Sequence, residues 1–506
     1  MVGQIIGGDY GEIWIRQKSD ENLEIGELLI ADGIMLQVFD LEYGSLLDTK
    51  DLARMSGLQL ERMGGVDIKE RNLRNYILAK AKPVFDLNTR STPKGLPGFF
   101  TMLRRVEEED FEFMRSDANG IYLGKVRSGS RVMNIPLYLD GKDMLSHHVL
   151  VPAATGMGKS NLMKVILWSL IGKRYAGILV LDAHNEYYEY THNGKRYGLT
   201  LHPQAGDNVL YYSPTSTKGY TLRINIRNVK PHHLKEIVEF SSAQEDALYL
   251  AYKEWGDEWI ERILLGDKLR GPKEETMAVL QRKIQVALEL VVRGDTIVPL
   301  GNIFSVGDEG KRTIRDIVEH LDSGRIVIID TSTISKDLEI LIASMIMSEI
   351  FERHKRCKEG RERDCVFSEL PVVSVLLEEA PRVLGGDKSN VFKTIAREGR
   401  KFMVGLIAIT QLPSMIPREI MANLNTKIIL GNEMKSERDA IISSAPQDLS
   451  KDSKMIASLD KGEAIVSSIF TKFPVPVKVD LFEDIVDSSR QEIDESDRRR
   501  KIKPLF

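Results

Sequence analysis

Cysteine is almost missing from this sequence: Cys357 and Cys365 are the only two in 506 residues. Two thiols in one short segment cannot form the framework of a small secreted domain, and they point to a reducing, cytoplasmic setting. The charged run around them, residues 354–363, predicts two unpaired thiols in a loop rather than a bond or a zinc site. Long apolar stretches are also missing. No run of about 18 apolar residues occurs, so no membrane-spanning helix is expected. The Met-Val-Gly-Gln start lacks the basic and apolar regions of an export signal. Nor is there an excess of positive charge, since 70 Lys and Arg face 74 Asp and Glu, a formal net charge of -4. That excludes a global basic field for nucleic acid, but not local patches or a pore shared by several subunits. No internal repeat or low-complexity tract appears.

What remains is the composition of a soluble globular chain, 42% hydrophobic and 28% charged, long enough for two or three domains. Residues 1–130 read as mostly β. Short strand-like runs at 11–16, 28–36, 75–85 and 120–126 are broken by Gly and Asp, with a helical patch at 48–63, and together they predict a small barrel. From His147 the pattern changes to strand 149–153, a Gly-rich turn, helix 161–170 and strand 178–182, the rhythm of a parallel α/β sheet. Residues 230–295 carry helical periodicity at 234–240, 244–265 and 274–292, an inserted helical subdomain. The α/β rhythm resumes with strands 325–330, 372–377, 404–409 and 427–430 and a helix at 337–353. Strand 463–468 precedes a tail read as extended, which ends in Arg498-Arg499-Arg500-Lys501 and Phe506. The expected organisation is therefore barrel 1–130, α/β core 131–229 and 296–480, helical insert 230–295, and tail 481–506.

The turn after strand 149–153 reads Ala154-Thr155-Gly156-Met157-Gly158-Lys159-Ser160, with Asn161 following. A strand, a Gly-rich turn and a helix start are the context a phosphate-binding loop requires. Backbone N–H groups and the helix N-terminus face the anion, Lys159 reaches the β- and γ-phosphates, and the Ser160 hydroxyl suits Mg2+. The first glycine of the usual pattern is replaced by Ala153. Apolar strand 372–377 ends in Glu378-Glu379, the form of a Walker B strand. Glu378 is expected behind the Mg2+ and Glu379 beside the attacking water. Gln411, past strand 404–409, is placed to touch both the γ-phosphate and that water. Arg397 and Arg400 are candidates for a guanidinium supplied to a neighbouring subunit's nucleotide. Asp182, ending strand 178–182, is expected to meet Mg2+-bound water or to orient Glu379. His147-His148 precede the first core strand, where His147 is a candidate phosphate contact and strand packing is the alternative.

Residues 149–164, 181–187, 376–381 and 397–413 together resemble the HerA family of the HerA–FtsK superfamily. The resemblance covers most of the chain. It implies a RecA-like P-loop NTPase core, an N-terminal barrel of the HAS type, a helical subdomain and a C-terminal brace. It further implies a homo-hexameric ring that uses ATP and Mg2+ to pump double-stranded DNA through a central channel. A nuclease of the NurA type is the implied partner in resecting broken DNA ends. Carried over, Lys159 and Ser160 hold ATP and Mg2+, Glu379 is the catalytic glutamate, Asp182 an essential acid, and Arg400 the trans-acting arginine. His147 stands where the family leads one to expect an arginine. The basic stretches 353–363 and 218–230 are candidate DNA contacts. Rival readings are a membrane-linked pump, a rotary ATPase subunit and a nucleotide-gated scaffold. The absence of an N-terminal apolar segment, the Glu378-Glu379 pair with the helical insert, and the intact Lys159, Ser160 and Glu379 set argue against them in turn.

Overall fold

The computed structural model describes residues 1–62, 75–114, 119–215 and 218–502. Contacts divide the chain into two compact units that cut across the consecutive segments read from the sequence. Met1–Leu139, Ala153–Gly158 and Lys427–Asp480 form one unit, and Asp140–Pro152, Lys159–Thr426 and Leu481–Phe506 the other.

The first unit opens with β1 (Gly3–Asp9), β2 (Glu12–Gln17), β3 (Leu28–Ala31), β4 (Ile34–Ser45), a helix at Thr49–Arg62, β5 (Asn75–Asp86) and β6 (Met102–Arg105). These strands close into the expected barrel in the order β1-β2-β5-β4-β3-β6. Side chains two apart on a strand share a face. Ile13 with Ile15, Leu36 with Val38 and Ala79 with Ala81 therefore fill the interior. The single strand read at 28–36 is two, because Asp32 and Gly33 both take positive φ in a two-residue hairpin turn. The strand read at 120–126 is not a barrel stave. It is β7 (Ile121–Ser128), paired with β8 (Arg131–Leu139). Met63, the last residue of the helical patch, lies outside the described residues.

The second unit starts with a helix at Gly141–Ser146, β9 (Val149–Pro152), a helix at Lys159–Leu170 and β10 (Ala176–Asp182). Hairpin β11 (Tyr190–His192) and β12 (Lys195–Tyr197) follows, then β13 (Val209–Ser213), β14 (Tyr220–Thr221) and β15 (Ile224–Asn225). The insert is helical at Pro231–Lys235, Ser242–Trp255, Trp259–Leu265 and Glu274–Ala287. Gly256, at φ 57, interrupts the helix read at 244–265. The helix read to 292 stops at Ala287, and Gly294 turns the hairpin of β16 (Leu290–Arg293) and β17 (Thr296–Pro299). Next come β18 (Phe304–Ser305), a helix at Thr313–Asp322, β19 (Ile326–Asp330), a helix at Lys336–Lys358, β20 (Val372–Leu377), a helix at Val391–Glu398 and β21 (Val404–Thr410). Strands pair in parallel in the order β14-β13-β19-β10-β20-β21-β9. Every residue of β10, β20 and β21 is buried, which is why these strands read as unbroken apolar runs rather than alternating ones.

The two cysteines are bonded, contrary to the unpaired thiols read from their charged surroundings. The helix from Lys336 continues to Lys358, so Cys357 sits in its last turn. Gly360 and Asp364 then take positive φ and fold the chain back, leaving the Cα atoms of Cys357 and Cys365 5.6 Å apart. A bonded pair does not indicate a reducing compartment. Closing an 8-residue separation gives about 2–3 kcal/mol by the chain-entropy estimate. Replacing both cysteines by serine is therefore expected to lower the thermal midpoint of oxidised protein. The midpoint of protein kept in dithiothreitol should not move.

The chain returns to the first unit with β22 (Thr426–Leu430), helices at Lys435–Ser444 and Ser453–Ala457, β23 (Glu463–Ser468) and β24 (Val475–Lys478). The order is β22-β23-β24-β7-β8. Ile429, Ile441, Leu449, Met455 and Ile465 make its core. Polar contacts tie this segment to the barrel: Lys82 to Asp452 at 2.5 Å, Lys454 to Asp40 at 2.6 Å, and the Gln37 amide to Met455 Sδ at 3.7 Å. The tail is not extended but a helix, Phe482–Ile502, in the second unit. Its start is held by Phe482 against Trp168, and by Glu483 and Asp487 accepting from the hydroxyls of Tyr190 and Tyr197. Residues 503–506, including Phe506, lie outside the described residues. Among the described residues no helix is long and apolar enough to cross a membrane.

Candidate nucleotide site

After β9 the chain runs through residues 153–158 into the helix Lys159–Leu170. Gly156 (φ 81) and Gly158 (φ 101) take the left-handed conformations that let this loop curl. Ala153 is buried and keeps φ outside the left-handed region, so a methyl group is tolerated where glycine is usual. Two backbone bonds hold the loop from the side. Ala154 N–H donates to Gly431 O at 3.0 Å, and Gly462 N–H donates to Met157 O at 3.1 Å. A Cβ on Gly431 would lie 2.3 Å from Met157 Cε and 2.8 Å from Leu459 O, so that position has no room for a side chain. Thr155 and Gly156 at the tip are exposed.

In the second unit, β10, β20 and β21 end at one edge. Val180 lies opposite Leu376, and Leu377 opposite Ala408. Asp182, Glu378, Glu379 and Gln411 follow at the carboxyl ends, where open α/β sheets bind ligands. The first turn of the helix carrying Lys159 and Ser160 serves the same edge, since Lys159 and Glu378 feel each other's charge. Burial lowers the proton affinity of Lys159, and Glu378 partly restores it. Burial raises the pKa of Glu378, while the Tyr187 hydroxyl, donating to its Oε1 at 2.8 Å, acts in the opposite direction. Glu379 is exposed and 3.7 Å from Arg382, whose guanidinium also lies 3.7 Å from Asp337. Lys336, Glu339 and Phe392 join the two glutamates in lining the adjoining cleft. Gln411 stands exposed just beyond β21.

Asp182 is placed differently from its expected role. It is 1% exposed, and its oxygens accept the N–H groups of Glu186 and Tyr187 at 3.0 and 3.1 Å. Burial raises its pKa and these bonds lower it. The carboxylate organises the turn 183–187 rather than orienting Glu379. Tyr187, which sequence reasoning missed, passes that order on to Glu378. The available signal was a tyrosine five residues after an acid that ends a buried strand.

His147, Arg397 and Arg400 gather at the opposite edge, before the strands. A seven-residue β21 separates Arg400 from Gln411 by about 20 Å. Arg400 is exposed, and Arg397 is paired with Glu419 at 2.7 Å. His147 ends the helix Gly141–Ser146 with Nδ1 2.8 Å from Asp143 O, and burial, with the charge of Arg400, lowers its proton affinity. Its neighbour His148 accepts the Leu406 N–H at 3.2 Å, and burial pushes it to about 4. Both histidines are thus engaged in contacts around the start of β9 and β21. Asn161, read as a nucleotide contact, accepts the Phe482 N–H at 2.9 Å and anchors the C-terminal helix.

Several cations of the basic stretches read as DNA contacts are paired within the chain. Lys218 pairs with Glu189, Arg227 with Glu261 and Lys230 with Glu349. In the other stretch Arg353 pairs with Asp322, and Arg356 with Glu362. For Mg2+, the donor set fits: the ion takes one or two protein oxygens and leaves the rest to phosphate and water. The Ser160 hydroxyl and the part-buried Glu378 carboxylate are of that kind. Among the described residues no three His, Cys, Asp or Glu side chains form a metal cage.

Residues 121–350 match the family described as helicase HerA, central domain. The DNA double-strand break repair helicase HerA of Saccharolobus solfataricus is 26% identical over 457 residues, 86% of this chain and 84% of the relative. Its namesake in Pyrococcus furiosus is 25% identical over 404 residues, covering 70% and 68%. Among solved structures, plasmid coupling protein TrwB with ADP and Mg2+ aligns over 75% of this chain and 93% of its own, at 14% identity and TM-score 0.48. Its central domain thus matches the HerA family, and relatives named HerA align with it along most of its length.

Proposed function

We propose that this chain is an ATP-hydrolysing motor that moves along or unwinds double-stranded DNA in break repair. The observation that carries the reading is one sheet edge holding Lys159, which follows directly in sequence on a glycine-curled loop, beside two glutamates of different exposure, Glu378 and Glu379. Loop N–H groups and Lys159 bind the β- and γ-phosphates of ATP. Exposed Glu379 takes the proton of the attacking water, and Gln411 reaches the γ-phosphate from the next strand. Ser160 and Glu378 hold Mg2+, which when bound neutralises charge building on the phosphate oxygens. Arg400, at the far edge of its own sheet, serves the nucleotide of a neighbouring copy in a homo-hexameric ring. The relatives' name, DNA double-strand break repair helicase, supports action on broken DNA; resection with a NurA-type nuclease partner, in the cytoplasm, completes the reading.

The test is ATP turnover with and without linear duplex DNA, beside the mass of the assembled particle. Turnover is expected to rise with DNA at low salt, and the DNA concentration needed is expected to climb steeply with salt as phosphate counterions are displaced. Protein that turns over no ATP even with DNA and nuclease present is a nucleotide-gated scaffold instead.

A further inference from the structure

We infer that Tyr187 is a positioning residue: it holds Glu378 so that a divalent cation arriving with nucleotide meets a carboxylate already turned toward it. The inference rests on the nucleotide reading above.

Tyr187 is 1% exposed and pinned at three points. Its N–H donates to Asp182 Oδ2 at 3.1 Å, its carbonyl accepts the Leu199 N–H at 2.9 Å, and its hydroxyl donates to Glu378 Oε1 at 2.8 Å. Asp182 ends β10 and Glu378 follows β20, its parallel neighbour, so the tyrosine ties the ends of two adjacent strands. The turn between Asp182 and Tyr187 is itself fixed. Asn185 takes φ 54, and its amide donates to Ser332 Oγ at 3.1 Å. A phenol this deeply buried beside carboxylates keeps its proton and acts only as a donor. Among the described residues Glu378 accepts no second side-chain or backbone hydrogen bond, which leaves Oε2 for a cation. A phenylalanine would fill the same space, so the hydroxyl is explained by the carboxylate it turns and not by packing.

The experiment uses the full chain with Tyr187→Phe, Glu378→Gln and the double substitution. Mn2+ is titrated into protein with ADP and followed by electron paramagnetic resonance, and kcat and KM for ATP are measured alongside. Losing a hydrogen bond to a charged group is expected to weaken Mn2+ binding and to lower kcat by on the order of tenfold each in Tyr187→Phe. KM is expected to stay within about twofold, because Lys159 and the loop still hold the phosphates. Adding Tyr187→Phe to Glu378→Gln is expected to change Mn2+ binding no further. Unchanged Mn2+ affinity and kcat in Tyr187→Phe overturn the inference while leaving the nucleotide reading intact. So do multiplying effects in the double variant, which also decide the matter if the single tyrosine variant folds poorly. Wild-type protein that binds no nucleotide with Mn2+ overturns both.

Discussion

Arg400→Ala is expected to lower DNA-stimulated ATP turnover by about a thousandfold or more, the scale of losing a trans-acting guanidinium in phosphoryl transfer. Arg400 stands before β21, while Lys159 and the glutamates lie at the far edge of the sheet, so one chain does not bring the two together. If the arginine acts on a neighbour, two crippled chains complement one another. Rings mixed from Arg400→Ala and Glu379→Gln chains contain interfaces where an intact glutamate faces an intact arginine, and turnover returns in proportion to them. Failure to recover at every mixing ratio would remove the trans role and, with it, the main support for a ring. Arg397→Ala should have the smaller effect, because that side chain is already engaged by Glu419.

Glu379→Gln is expected to reduce turnover by about two to four orders of magnitude while leaving nucleotide binding near wild type. The amide keeps the shape of the side chain but cannot accept a proton from water. Its contact with Arg382 offers little resistance to that work: at 3.7 Å, with the side chains 39% and 60% exposed, such a pair contributes at most about 1 kcal/mol. On the proposed reading, that weak contact leaves Glu379 available to a bound γ-phosphate. Single-turnover measurements on prebound ATP check the assignment. A variant that hydrolyses at a rate close to wild type would transfer the proton-accepting role elsewhere at this edge.

The parts of this architecture that were legible in sequence are those with local causes. Strands 372–377 and 463–468 read to the residue, since a buried parallel or central strand is an unbroken apolar run with polar ends. The hairpin at Asp32-Gly33 was hidden inside one apolar run because the turn is only two residues long. The C-terminal helix read as a solvated tail because its composition is mostly charged, and its anchors, Trp168 and Asn161, lie far back in the chain. The disulfide was missed because charge suggested a loop where a helix continues. In the site, Lys159, Glu378 and Glu379 announced themselves by motif. Asp182 was noticed, but its partner was not: what Tyr187 does depends on two strands lying side by side, which no local pattern encodes.

Lys82 and Asp452 are 370 positions apart in the chain, yet touch at 2.5 Å. With Asp40–Lys454 and the Met455 side chain lying against Gln37 and Gly26, they rivet the N-terminal barrel to the segment whose Gly431 and Gly462 grip the phosphate loop. The barrel is therefore not a detachable module. A protease that nicks the backbone between β6 and β7 severs a peptide link without releasing a fragment, and a chain trimmed of its first hundred residues loses the outer brace of its own phosphate loop along with the barrel.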